Sequence, residues 1–462
     1  MVFNSDIKTS QDGVFHYVTG SKIPDNKIIY LDGTTNKGYT FGQFKSESKK
    51  FAAGLQDKVG FKHGGKVTLV DPKYVASELS FQLVDSGASI LIVHPNLLET
   101  AITASKEINI HNIKIFLFGD NEISGYKPFR SELIRKREIE PIYYTPEDAN
   151  STTAYICYSS GTTGKQKGVE ITHTNFVANL AQLYSIEKDL GPHSILAGVL
   201  GATVVIFPNY NIETFCFYIE KYKIDYVYAA PPIILDLVNY SDAIEYLSSV
   251  KMIAYGLTEA LIICYSDSNN IIAGSCGTPL PNIKVKILSA DGNGPNKHGE
   301  LCVHSPAVMK GYLKNSEATN TAFDNYGFLH TGDYARVDDQ GNYYIVGRIK
   351  ELIKYKRFSV APAELESILL KHEKIFDAAV IGFYSEKDQT ELPIAYIVLK
   401  SEENENNKSL KNEIIQYVNS KVAPHKKIRD LLFINKIPKN KSGKILRREL
   451  RELLLVNMSR IK

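Results

Sequence analysis

Apolar positions along the chain switch repeatedly between two periods. Phe41, Phe44, Phe51, Ala52 and Leu55 recur at helical spacing and predict an amphipathic helix from Phe41 to Lys58. Ahead of it, Ile28–Asp32 and Lys37–Thr40 read as a short strand pair. Lys66–Asp71, Ser89–His94 and Ile113–Phe118 are compact β-favouring runs, with a helix at Tyr74–Ser86 between the first two. This alternation predicts an α/β fold with mostly parallel sheets. Thr153–Tyr158 predicts a further strand, and Thr174–Leu190 a helix with Thr174 or Asn175 near its N-cap. Gly201–Pro208 and Tyr226–Ala230 read as strands around a helix at Ile212–Tyr222, and Pro231 opens another helix. Residues 291–345 read as β-rich, punctuated by Gly, Asp and Asn turns.

From Pro362 the texture changes. A helix at Pro362–His372, strands at Ile375–Phe383 and Leu392–Leu399, a helix at Leu410–Val422 and a strand at Asp430–Phe433 make an α+β unit of roughly 110 residues. A chain of 462 residues exceeds one ordinary core. Two domains are expected, 1–348 and 349–462, joined in the Gly347–Lys350 stretch.

Composition narrows the class. Hydrophobic content of 44% and charged content of 23% fit a soluble globular protein. A net charge of +3 is small for this length and gives no sign of a nucleic-acid or membrane-surface partner. The five cysteines, Cys157, Cys216, Cys264, Cys276 and Cys302, are odd in number and form no CxxC pair, which predicts free thiols in a reducing compartment. The N-terminus lacks the apolar core of a signal peptide, and no run approaches the roughly 20 apolar residues of a spanning helix. The last residues, Ser-Arg-Ile-Lys, are not the Ser-Lys-Leu peroxisomal address. The expected compartment is the cytoplasm.

Candidate chemistry starts at Tyr158–Asn175. Ser159, Ser160, Thr162 and Thr163 offer hydroxyls; Gly161, Gly164 and Gly168 free the backbone; Lys165 and Lys167 add positive charge. Such a loop can turn successive N–H groups toward a polyphosphate. It is not a Walker A loop, and its composition alone also suits a surface turn. In Tyr255-Gly-Leu-Thr-Glu-Ala260, a Thr-Glu pair at a strand end can offer a hydroxyl to a phosphoryl oxygen and a carboxylate to Mg²⁺. An ordinary turn is the plainer reading of that pair alone. In Gly327-Phe-Leu-His-Thr-Gly-Asp-Tyr334, Asp333 is either a turn residue or a carboxylate for two ribose hydroxyls. Tyr344–Lys356 and Pro438–Arg448 are basic stretches that composition alone assigns to solvent.

These five stretches, in this order, resemble the motifs of the AMP-forming adenylating enzymes, which include acyl-CoA synthetases, coumarate-CoA ligases, luciferases and peptide-synthetase adenylation domains. Val360-Ala-Pro-Ala-Glu-Leu-Glu366 is most similar to coumarate-CoA ligase-like and luciferase-like members. The resemblance implies a large N-terminal domain of two α/β subdomains plus a β-barrel, carrying a small mobile α+β domain. It implies an ATP-dependent acid–CoA ligase using ATP, CoA and Mg²⁺, which makes an acyl-adenylate and passes it to CoA. Ser159, Ser160, Gly161, Thr162, Thr163, Gly164 and Lys165 would then form the phosphate loop. Tyr255 would flank adenine, Thr258 touch the phosphates, and Glu259 hold Mg²⁺. Asp333 would bind ribose, and the planar fork of Arg348 would bind ribose or phosphate. Lys350 would be the hinge, Lys354 would line the thiol site, and Lys444 would neutralise charge during adenylation.

The chain also departs from that pattern at three joins. The acyl-pocket His and its helix are missing where Ser194–Leu200 runs into Gly201–Ile206. The adenine loop is missing where Val250–Ile253 abuts Tyr255. A strand and helix are missing near Gly64-Gly65. Removing a βα unit alters strand order or uncovers a sheet face. Arg357 and Ser359 stand where the family has Gly and Gln along the pantetheine path. The alternative reading is therefore a degenerate, inactive or incomplete paralogue that lacks the acyl pocket. A light-emitting or other oxygenase relative is a second rival, and a peptide-synthetase adenylation module ranks last, because no carrier domain is expected after Lys462.

Overall fold

The computed structural model describes residues 13–20, 23–69, 75–107, 113–159, 166–186, 203–206, 211–227, 240, 243–250, 252–266, 272, 275–289, 297–356, 358–400, 408–439 and 445–459. The first long helix, Phe41–Val59, opens on Thr40. The Thr40 hydroxyl accepts from Gln43 N, the Gln43 side chain accepts from Thr40 N, and Gly60 ends the helix at φ 69°. Its apolar face buries Phe41, Ala53 and Leu55. Gly54 lies on the same face, where a Cβ would stand 1.8 Å from the Leu133 carbonyl oxygen.

β1 (Ile28–Asp32) pairs antiparallel with β2 (Gly38–Thr40). β3 (Val67–Leu69), β4 (Ile90–Val93) and β5 (Lys114–Leu117) form a parallel sheet in that order. β4 is buried along its whole length, as its unbroken apolar run requires. β6 (Thr153–Ser159) and β7 (Lys167–Thr172) form an antiparallel hairpin whose last pair is Ser159 and Lys167. β8 (Val204–Ile206) runs parallel to β1. β9 (Tyr226–Val227), β10 (Met252–Leu257), β11 (Leu261–Ser266) and β12 (Thr278–Pro279) make a second sheet, parallel only between β9 and β10.

The β-rich stretch that the resemblance assigns to a barrel forms an antiparallel sheet. It contains β13 (Lys284–Leu288), β14 (His298–His304), β16 (Leu329–Val337) and β17 (Tyr343–Arg348), while β15 (Gly311–Tyr312) crosses to pair with β7. β18 (Ile353–Tyr355) and β19 (Phe358–Val360) form a hairpin, and β20 (Ile375–Ser385), β21 (Thr390–Leu399) and β22 (Asp430–Phe433) form the last sheet. Period-2 alternation in β20 sends Ala378 and Val380 to a core with Leu365, Leu369, Ile414 and Val418. Ala379 and Ile381 go to the other face, against Tyr396, Leu450 and Leu454.

The α/β class agrees with the sequence expectation, but the parallel bias does not. Among the described strands, antiparallel pairings prevail, and the strand that leads into the candidate phosphate loop sits in a hairpin. Sequence period separates buried from half-buried strands and is blind to direction. The helix after the phosphate loop, His173–Ile186, is capped by Thr172 rather than by Thr174 or Asn175. Thr172 Oγ1 accepts from Asn175 N at 3.1 Å, and Asn175 Oδ1 accepts from Thr172 N at 2.9 Å. The helix expected from Pro231 and the Leu200–Gly201 join lie outside the described residues.

At the second join, β10 runs unbroken from Met252 into the Tyr-Gly motif. At the third, a groove of about 480 Å³ lined by Val59, Phe61, Lys62, Gly65, Ser89 and Lys114 opens to solvent. Among the described residues no helix is long and apolar enough to cross a membrane.

Candidate active site

The site is built where β16, β17 and the β10–β11 turn meet. In β16, Leu329, Thr331, Asp333 and Ala335 point inward. The register of β16 on β17 places Asp333 opposite Arg348. Arg348 Nε lies 2.9 Å from Asp333 Oδ1, and Tyr255 Oη donates to Asp333 Oδ2 at 2.5 Å. Arg348 Nη1 donates to the Thr331 carbonyl at 2.9 Å. Asp333 N donates to Thr331 Oγ1 at 3.0 Å, and that hydroxyl donates to the Leu301 carbonyl at 2.7 Å.

Burial raises the Asp333 carboxyl above the ordinary range, against the pull of Arg348 and the Tyr255 hydrogen bond. Burial, then the Asp333 charge, pushes the Tyr255 phenol well up, so Tyr255 is a donor at neutral pH. The resemblance implies that Tyr255 flanks adenine; the structure shows its hydroxyl on one oxygen of Asp333.

Thr258 and Glu259 occupy the tight turn between β10 and β11, both half-buried. Met309 N donates to the Glu259 carbonyl at 2.8 Å, and Tyr312 Oη donates to Glu259 Oε1 at 3.1 Å. Tyr312 also pairs with Val169 of β7, and Lys167 Nζ lies 4.8 Å from the centre of its ring. Burial first, then the Glu259 charge, raises the Tyr312 phenol, and Arg348 opposes them. Contacts run from Lys167, at the foot of the candidate phosphate loop, through Tyr312 to Glu259. The Glu259 charge is felt at Asp333, which itself contacts Arg348 and Tyr255. Ser159 sits at the same foot, paired with Lys167. Ser160, Gly161, Thr162, Thr163, Gly164, Lys165, Arg357 and Lys444 lie outside the described residues.

The remaining candidates belong to the second half of the chain. Lys350 is exposed in the short helical turn Ile349–Glu351. Lys354 Nζ donates to Ser359 Oγ at 3.0 Å across β18 and β19, and Lys354 N donates to Glu391 Oε2 at 2.6 Å. The stretch that carries Lys444 is pinned at both feet. Lys439 pairs with Ile445, Leu446 N donates to the Pro438 carbonyl at 2.8 Å, and Lys439 Nζ lies 2.7 Å from Asp377. Just beyond, Arg447 Nη2 donates to both Glu366 oxygens at 2.7 and 2.9 Å; both side chains are buried. Val380 N donates to Glu366 Oε1 at 2.8 Å.

Sequence reasoning missed Tyr312, Thr331 and Glu300. Tyr312 carried no signal beyond an aromatic after Gly311, and Glu300 read as an ordinary strand residue. The oxygen donors at Glu259 and Thr258 suit a hard cation such as Mg²⁺. The Asp333 carboxylate and the Arg348 fork suit a ribose and its phosphate.

The family model for the AMP-binding enzyme matches residues 61–254 and 250–313, and the AMP-binding enzyme C-terminal domain matches 364–444. The first match breaks in two at the join beside Tyr255. A 4-coumarate–CoA ligase of Pinus taeda is 31% identical over 534 residues, with 97% of this chain and 96% of that protein covered. 4-Coumarate–CoA ligase 2 of Petroselinum crispum is 32% identical over 515 residues, covering 93% and 92%. Both alignments exceed the 462 residues of this chain, so both relatives carry segments that it lacks. Among solved structures, the anthranilate CoA ligase AuaEII in complex with anthranoyl-AMP superposes with a TM-score of 0.80 at 23% identity, covering 96% and 97%. The O-succinylbenzoate coenzyme A synthetase MenE from Bacillus subtilis, with ATP and magnesium ion, gives 0.75 at 23%, covering 95% and 99%.

Proposed function

The chain belongs to the AMP-binding enzyme family, and on that premise we propose that it joins a carboxylic acid to CoA through an acyl-adenylate. One observation supports bringing the reading to these residues: Tyr255, which grips Asp333 together with Arg348, sits on the same β10–β11 hairpin as Glu259, whose partner Tyr312 lies against Lys167 at the foot of the candidate phosphate loop. Ribose hydroxyls meet the Asp333 carboxylate, and Arg348 reaches the ribose or α-phosphate. Ser159–Lys165 supply hydroxyls, backbone N–H groups and a cation to the phosphates. Thr258 touches the phosphoryl oxygens. Glu259 would hold Mg²⁺, which would supply charge neutralisation to the triphosphate.

In the first step a carboxylate oxygen of the acid attacks the α-phosphorus, and the bond to pyrophosphate breaks. Lys444, on the 349–462 unit, stabilises the charge that builds on the phosphoryl oxygens. That unit then turns about Lys350 and brings Lys354 toward the thiol path. The CoA sulfur, having lost its proton, attacks the acyl carbon, and AMP leaves. We place this chemistry in the cytoplasm, which five cysteines without a CxxC pair support.

ATP–pyrophosphate exchange with a panel of hydroxycinnamic, benzoic and fatty acids tests the reading. Exchange with one acid class, followed by thioester formation on adding CoA, is expected. Protein that binds ATP yet exchanges with no acid would instead identify the inactive paralogue.

A further inference from the structure

The strand that carries Asp333 is not regular. Between the pairs Glu300–Tyr334 and Cys302–His330, β14 advances by Leu301 alone while β16 advances through Thr331, Gly332 and Asp333. The excess makes a bulge, with Gly332 at φ 70°. A bulge strands backbone donors that a regular ladder would use, and here side chains take them. Gly332 N donates to Glu300 Oε1 at 3.1 Å, and Asp333 N donates to Thr331 Oγ1 at 3.0 Å. The other Glu300 oxygen, Oε2, lies 2.9 Å from His330 Nδ1, and both side chains are half-buried. Glu300 therefore holds the bulge at Gly332 and is itself aimed by His330. Cys302 packs beside the pair, its Sγ 3.6 Å from His330 Nδ1, with burial pushing its thiol up to about 12. An un-ionised thiol adds no competing charge.

We infer that Glu300, oriented by His330, is a positioning residue for the nucleotide ribose: it fixes the Gly332 bulge and so sets where Asp333 points. The inference rests on the reading of Asp333 as the ribose carboxylate. Glu300 touches no substrate in this account; it acts through one backbone N–H on the residue before Asp333. Its loss should therefore be felt in recognition of the ribose hydroxyls and not in nucleotide binding at large.

Equilibrium binding of ATP and of 2′,3′-dideoxy-ATP to the full chain separates these effects. The wild-type protein should prefer ATP. Losing one orienting hydrogen bond in Glu300→Ala should cut that preference about tenfold, while affinity for the dideoxy nucleotide changes little. Glu300→Gln should restore the preference, because its amide oxygen still accepts from Gly332 N and its NH₂ can donate to His330 Nδ1. If Glu300→Ala does not fold, Glu300→Met, of similar length and without an acceptor oxygen, serves in its place. In Glu300→Ala/Asp333→Asn the second change should add little, since both act through one carboxylate. An undiminished preference for ATP in Glu300→Ala, with Asp333→Asn losing it, would overturn the inference alone. Wild-type protein that binds both nucleotides equally would overturn the reading of Asp333 instead.

Discussion

Arg348 faces Asp333 across β16 and β17, with Nε 2.9 Å from Oδ1, while Tyr255 takes the other carboxylate oxygen from a different sheet. The carboxylate is held on both sides. In the proposed reading its remaining lone pairs would meet the ribose hydroxyls already oriented, which lowers the cost of binding.

Arg348→Lys keeps the charge and loses the fork that spans Asp333 and the Thr331 carbonyl. The KM for ATP in pyrophosphate exchange should rise about tenfold in the Lys variant and further in Arg348→Ala. Arg348→Ala also strips the ion-pair partner from buried Asp333, so its unfolding midpoint should fall, while that of the Lys variant, which keeps the charge, should change less.

Tyr312→Phe removes the hydroxyl that donates to Glu259 and leaves the ring under Lys167. Stability should change by about 1 kcal/mol or less. The Mg²⁺ concentration for half-maximal exchange should rise severalfold, because Glu259 loses its partner. An unchanged Mg²⁺ titration would separate Tyr312 from the metal step.

The raised Asp333 carboxyl sets a pH trend of definite sign. Its native state holds the proton more tightly than the unfolded chain does, so its contribution to stability is full below the ordinary Asp value of 3.8. It declines as pH rises through the raised native value and is flat above that. Asp32, Asp57, Asp324 and Asp338 are shifted down and oppose this trend. The trend is therefore read as the urea midpoint of the wild type minus that of Asp333→Asn, which should fall with rising pH and then level off.

Arg447→Ala strips the partner from buried Glu366, whose carboxyl burial already raises against the pull of Arg447. Breaking such a pair should cost about 3 kcal/mol, measured by urea unfolding. Replacing both with Arg447→Met and Glu366→Leu should recover part of that loss. The Val380 N–H, left without the Glu366 oxygen, keeps the recovery incomplete.

The sequence made the large outlines legible because the informative residues lie in contiguous strings. The motifs around Tyr255, Asp333 and Arg348 are each read within a few residues, and the structure brings those three side chains together. What escaped depends on register. Tyr312 meets Glu259 across 53 positions. Glu300 meets Gly332 across 32, and only because β16 carries a bulge that local propensity does not announce. The misplaced helix cap has a similar cause. Thr172 ends a strand and caps a helix at once, so Thr174 and Asn175 looked equally suitable. Strand direction was illegible for the same reason: the β6–β7 hairpin is closed by a loop whose composition suits either a turn or a crossover.

The stretch bearing Lys444 leaves and rejoins the β20–β21–β22 unit at nearly one point, where Lys439 bridges Ile445 and is tied to Asp377. In the proposed cycle, the fastened ends at Lys439 and Ile445 make the β20–β21–β22 unit the body that would carry Lys444 between the half-reactions.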